Sequence, residues 1–262
     1  MRIFVTFAFV LSSVGAWAQT YPAKPIRVIV GQAPGGATDI VSRALAQKLT
    51  DQMGQSVVID NRSGAAGSIG SAIAASANPD GYTALIISST YTINPSLYQK
   101  LPFDPVRDLK PVTRIASSPF LLLVHPSLPV KTTRELIALA KTRNLTFGSG
   151  GIGSSGHLAA ELFASMAGIT LIHVPYKGAG PALIDTLAGQ VNMLLSSIVS
   201  GMPYAKSGRL SALAITTKNR SNAMPDLPTV AESALPGYDF SARKGTRLNS
   251  SHIPLSRMPS SA

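Results

Sequence analysis

Short apolar runs alternate with stretches of helical periodicity through most of the chain. Residues 27–30, 57–60, 83–88, 120–125, 145–147, 171–174, 191–195 and 213–216 read as short strands buried on both faces. Between them, 38–50 and 155–167 repeat apolar residues every three or four positions: Ile40, Val41, Ala44, Leu45 and Leu49 in one, Leu158, Leu162, Phe163 and Met166 in the other. The segment 132–141 opens on Thr132 with Glu135 three residues on, the pattern of a capping box. A helix of small residues over 65–77 is closed by the turn Asn78-Pro79-Asp80-Gly81. Strand–helix alternation predicts an α/β fold with parallel strands and right-handed crossovers. All-α and all-β folds do not fit it.

Two of these strand–helix junctions share one design. Gly31-Gln32-Ala33-Pro34-Gly35-Gly36-Ala37-Thr38-Asp39 leads into the first strong helix, and Gly148-Ser149-Gly150-Gly151-Ile152-Gly153-Ser154-Ser155 into the second. Such a loop aims free backbone N–H groups at the positive end of a helix, which suits an anion. The likeness extends from 31–54 to 148–168, through a second strand, and on to the loops Arg62-Ser63-Gly64-Ala65-Ala66-Gly67 and Tyr176-Lys177-Gly178-Ala179-Gly180. Two related α/β lobes explain it: lobe one over 19–117 and lobe two over 118–217. A return segment follows over 218–240, and the break between lobes falls in the Pro-punctuated stretch 101–119. Ligands of open α/β sheets lie at the carboxyl ends of strands. The expected ligand-binding residues are therefore Pro34, Gly35, Gly36, Ala37, Thr38, Asp39, Ser89, Thr90, Ser149, Gly150, Ser154, Ser155, Tyr176 and Ser197. Thr38 is expected to cap its helix, and Tyr176 and Lys177 to close over the ligand.

The chain ends change the picture. Arg2, an apolar core over 3–14 and Ala16-Trp17-Ala18 before Gln19 match a secretory signal peptide over 1–18, too short to span a bilayer. That places the mature protein in the periplasm, without a membrane span. The chain contains no cysteine, so disulfides and a lipid-anchor thiol are excluded. The formal charge of +11 is inflated by Arg2 and by Arg243, Lys244, Arg247 and Arg257 near the end; residues 19–240 carry only +6. Those charges form no run and are not interleaved with aromatics, so nucleic acid is not an expected partner. The segment 241–262, rich in Ser and Arg, loses the periodicity of the rest and reads as a disordered tail.

Catalytic chemistry is hard to find. G-x-G-x-x-G occurs twice within 148–156, the mark of a nucleotide-dependent α/β enzyme, but the following strand, Leu171-Ile172-His173-Val174-Pro175, lacks the ribose-binding acid. The first loop lacks a Walker lysine, and G-x-S-x-G is absent. The four histidines are scattered, and His157 with Glu161 is a helix pair rather than a metal site. No catalytic residue, metal or cofactor is expected; neutral N–H and hydroxyl donors are left to hold a carboxylate.

Several motifs in fixed order carry a resemblance. Tyr21-Pro22-x-Lys24-Pro25-Ile26-Arg27-Val28-Ile29-Val30, Pro34-Gly35-Gly36-x-x-Asp39, Asp60-Asn61-Arg62-x-Gly64-Ala65-x-Gly67, Asn94-Pro95-x-Leu97-Tyr98, Val174-Pro175-Tyr176-Lys177-Gly178 and Leu227-Pro228-Thr229-Val230-x-Glu232 look like those of Bug-type solute receptors. These are the substrate-binding proteins of tripartite tricarboxylate transporters. The resemblance implies a two-lobed periplasmic receptor of type II architecture, closing on a small carboxylate (a di- or tricarboxylate, acidic amino acid or aromatic acid) and docking with two membrane subunits. It equally suits a receptor that feeds a sensor. The likeness stops after Phe240, where the chain reads as a truncation joined to unrelated sequence, leaving lobe one incomplete.

Overall fold

The computed structural model describes residues 21–249. The expected signal peptide and the end of the tail lie outside them. One continuous sheet runs β2-β1-β3-β9-β4-β7-β5-β6, with β8 also paired to β4. Its first half joins β1 (Ile26–Val30), β2 (Val57–Asn61), β3 (Thr83–Ser88) and β9 (Ser241–Asn249). Its second half joins β5 (Leu145–Ser149), β6 (Leu171–Pro175), β7 (Met193–Ser197) and β8 (Ser211–Ile215). The 16-residue β4 (Leu109–Val124) serves both halves: its start pairs with β9, its end with β7 and β8.

Both faces of each half are covered, which is why the strands read as unbroken apolar runs. In lobe two, Phe120, Leu122 and Val124 pack into one core, while Leu121 and Leu123 pack into another on the opposite face. In lobe one, Ile29 and Leu85 face one core, and Val28, Val30 and Ile86 the other. The covering helices include α1 (Ala37–Met53), α2 (Ser68–Ala75), α3 (Thr90–Leu97) and α4 (Thr133–Thr142), then α5 (Ser155–Ala167), α6 (Ala179–Leu187), α7 (Ile198–Lys206) and the short α8 (Val230–Ser233). Among the described residues no helix is long and apolar enough to cross a membrane.

Local signals set several boundaries. Thr132 caps α4 by accepting the Glu135 N–H at 3.2 Å. Thr132→Ala is expected to cost about 1 kcal/mol of unfolding free energy, read as a lower urea midpoint at unchanged slope. α1 and α5 each stop at a left-handed glycine, Gly54 and Gly168. Thr38 does not cap α1; Gly36 does, without a side-chain bond, and Thr38 sits one residue inside the helix.

Two expectations need correcting. The strand expected over 120–125 is not confined there: β4 begins at Leu109, and its first half is exposed and polar enough to hide it. Nor is the whole tail disordered: 241–249 form β9, hydrogen-bonded to β3 on one edge and β4 on the other. Ala242 and Lys244 point inward while Ser241 and Arg243 point out. The strand is held by main-chain pairing on both sides, so a hydrophobicity pattern with a lysine at an inward position does not reveal it.

Candidate ligand-binding site

A cavity of ≈ 330 Å³ opens between the two halves, at the carboxyl ends of β1, β3, β5 and β7. Of the residues expected there, Gly36, Ala37, Thr38, Thr90, Ser149, Gly150, Ser154, Ser155, Tyr176 and Ser197 border it, as does Lys177. Pro34, Gly35, Asp39 and Ser89 do not.

Asp39 works beneath the first loop. Its Oδ2 accepts the Gly35 N–H at 3.0 Å and Arg43 Nε at 3.1 Å, and its Oδ1 accepts Asn61 Nδ2 at 3.0 Å. Asn61 Nδ2 also donates to the Gln32 carbonyl at 3.0 Å. Burial alone would raise the Asp39 pKa, but these hydrogen bonds and the Arg43 charge outweigh it and hold the carboxyl below its ordinary value. The acid thus fixes the turn that lays Gly36, Ala37 and Thr38 along the cavity. Ser89 instead accepts the Arg243 N–H of β9 at 3.0 Å.

The second loop is held from behind by two imidazoles. Ser149 Oγ lies 2.6 Å from His173 Nε2 and accepts the Gly151 N–H at 3.1 Å. His157 Nδ1 accepts the Gly153 N–H at 3.2 Å, and Ser154 caps α5 through the His157 N–H at 3.3 Å. The two rings stack at 4.1 Å between centroids, with Phe147 against His173 at 4.7 Å. His157 is therefore part of a packed stack, and its Nε2 also keeps the helix pairing with Glu161 Oε1, at 3.6 Å. Burial, with His157 adding to it, lowers His173 to about 4, and burial also lowers His157 against the pull of Glu161. An unfolded chain takes up the proton near 6.5, the folded one near 4, so the unfolded state binds more protons in between. Stability should fall as pH drops through that window, and thermal melts of His173→Gln should show a shallower fall.

Several lining residues escaped the sequence reading. The turn Gly64–Gly67, where Ala65 and Ala66 adopt positive φ, borders the cavity, as do Gly151 and Ile152 of the second loop. Its signal was its likeness to 176–180. Tyr98, Phe120 and Leu195 supply apolar wall, and carried no signal beyond ordinary core hydrophobicity.

Lys244 of β9 forms part of the floor. It is 3% exposed, and its Nζ donates to Ser118 Oγ at 3.0 Å, which lies 3.1 Å from Ser197 Oγ. Burial lowers its pKa to about 8. Neither Asp, Glu nor His is among the cavity-lining residues, whereas Lys177 and Lys244 are. Tyr176 reaches the other way: burial and the hydrogen bond from its OH to Asp185 Oδ2 at 2.7 Å push its pKa up to about 12. The site therefore offers N–H groups, neutral hydroxyls and ammonium to an anion, within an apolar wall. Among the described residues no cluster of His, Asp or Glu is placed to hold a metal.

Residues 41–245 match the family model described as the tripartite tricarboxylate transporter family receptor. BugT of Bordetella pertussis is 39% identical over 240 residues, covering 90% of this chain and 73% of that protein. An R. palustris protein solved with adipate superposes with a TM-score of 0.84 at 35% identity, over 90% of this chain and 80% of that one. MatC of Rhodopseudomonas palustris, with bound malate, gives 0.81 at 31% identity, over 87% and 79%.

Proposed function

Since the chain belongs to the tripartite tricarboxylate transporter receptor family, whose members are periplasmic solute-binding receptors, we propose that it captures a small carboxylate in the inter-lobe cavity and hands it to the membrane subunits of such a transporter. One observation carries the ligand class. The cavity lining has no carboxylate, but it has two lysines, the hydroxyls of Thr38, Thr90, Ser154, Ser155 and Ser197, and the first residues of α1 and α5. A cation would find no counter-charge there, while a carboxylate finds donors already oriented. The apolar wall of Phe120, Ile152 and Leu195 suits a hydrocarbon segment behind the carboxylate. The adipate and malate in the related structures are of this chemical type. Their size is in keeping with a cavity of ≈ 330 Å³.

A thermal-shift series tests the proposal, using di- and tricarboxylates, acidic amino acids and aromatic acids. A ligand at about 100 times its Kd adds about 2.7 kcal/mol of stability, which raises Tm by roughly 5–10 °C in a chain of this size. A saturable rise with one class supports it. A cooperative melt that NAD or ATP shifts, and no carboxylate does, would overturn it in favour of a nucleotide site.

A further inference from the structure

The two lobes meet backbone to backbone at the rim of the ligand cavity, which Gly36, Gly178 and Ala179 border. The Ala33–Gly36 turn of lobe one lies against Gly178, Ala179 and Gly180 of lobe two. A Cβ added to Gly180 would collide with the Pro34 carbonyl oxygen, and it would sit 3.5 Å from the Pro34 carbonyl carbon and 3.6 Å from that of Gly35. A Cβ on Gly178 would collide with Ala33, whose amide nitrogen would lie 3.1 Å away. Gly35 in turn would place a Cβ 3.9 Å from Gly180 Cα. The obstacles at Gly180 are main-chain atoms fixed by the Asp39–Gly35 hydrogen bond, so they cannot swing aside as a flexible side chain would.

We propose that Gly178 and Gly180 form the closure latch of the receptor: the bare backbone at these positions lets the Ala33–Gly36 turn seat on the start of α6, and any side chain at 180 holds the lobes apart. The proposal rests on the reading of the cavity as a ligand site between lobes, and it names what limits access to its closed state. Gly178 has φ +155, a conformation disfavoured for other residues, so a substitution there mixes local strain with the contact. Gly180 is cleaner. It is the second residue of α6, has no positive φ, and does not border the ligand cavity. Alanine is the better helix former at that position. Gly180→Ala should therefore leave lobe two as stable as before, or more so, while impairing closure.

Closure can be read without any ligand, because the chain has no cysteine of its own. A Cβ on Gly36 would lie 3.8 Å from the Ala179 Cβ in the closed arrangement, within the roughly 3.5–4.5 Å that a disulfide spans. Gly36 has φ −76 and ψ 160, which cysteine adopts freely. The pair Gly36→Cys with Ala179→Cys should cross-link under mild oxidation, and adding Gly180→Ala should slow the cross-link about tenfold or more, by lowering the closed population. In the cysteine-free chain, Gly180→Ala should weaken carboxylate binding by a similar factor with an unchanged or higher ligand-free Tm. Gly180→Ser should behave alike, which separates bulk from helix propensity. Equal cross-linking rates with and without Gly180→Ala overturn the latch, and so does failure of the cysteine pair to cross-link at all. Failure of the parent chain to bind any carboxylate overturns the ligand reading and leaves the cross-linking result to decide the latch separately.

Discussion

Lys244→Met is expected to strengthen the ligand-free protein and to cripple its binding of carboxylates. The ammonium lies 3% exposed with Ser118 Oγ as its hydrogen-bond acceptor, and burial lowers its pKa to about 8 from 10.5. A lysine whose folded pKa is depressed costs nothing above its unfolded pKa; the cost grows as pH falls from 10.5 towards 8 and is present in full below that. At pH 7 the charge therefore opposes folding by roughly 3 kcal/mol, and methionine, of similar length and without charge, relieves it. The ligand sees the reverse. A carboxylate entering the cavity supplies the counter-charge that the lining lacks, and truncating one partner of a buried charge pair typically costs 2–5 kcal/mol, a loss of about thirtyfold or more. Urea denaturation at pH 7 and calorimetric titration measure the two effects. Loss of both stability and binding would mean that the lysine is structural.

Lys244 also marks where the sequence stopped being readable. Strands such as β3 and helices such as α5 were legible to the residue, because burial on both faces makes apolar runs and a serine cap with a left-handed glycine punctuates the ends. The two Gly-rich loops were legible as strand-to-helix turns at the carboxyl ends of strands because their chemistry is local. What escaped is non-local: β9 is a strand only because β3 and β4 leave a gap of its width, and the first half of β4 has exposed, polar residues. α6 and α7, nine residues each and interrupted by Gly and Pro, are too short to stand out and were not anticipated as helices. Asp39 was anticipated beside the ligand and stands instead behind the turn, since nothing in a string of residues says which side of a loop a carboxylate takes.

That position makes Asp39→Ala the other large effect. Three donors converge on the carboxylate, from Gly35, Arg43 and Asn61, and Asp39 is 3% exposed. Removing the acceptor leaves the Gly35 N–H and the Asn61 amide short of a partner, at roughly 2–4 kcal/mol in all. The Ala33–Gly36 turn also loses its anchor, so carboxylate affinity should drop together with stability. The pH dependence has a definite sign. The folded pKa lies below 3.8, so the carboxylate stabilises fully above that value and its contribution is lost as pH falls through the folded pKa. Parent and variant melting curves should converge in strong acid and separate above pH 4. A constant gap at all pH values would assign the loss to packing rather than to the charge.

The order in which the sheet is strung has a consequence for how the chain is made. β3 is complete by Ser88, yet its partner β9 begins at Ser241 and pairs back as Ser88 with Lys244. Through most of synthesis, the first-made strands present an open edge whose partner does not yet exist. Lobe two needs no such wait, as β5, β6 and β7 follow one another closely. Long-range pairing of this kind is slow and leaves the early segment unlocked until β9 arrives. The first lobe should accordingly acquire amide-exchange protection after the second during refolding, and a nascent chain halted near residue 200 should carry its first three strands in a form still open to translocation machinery or to a chaperone.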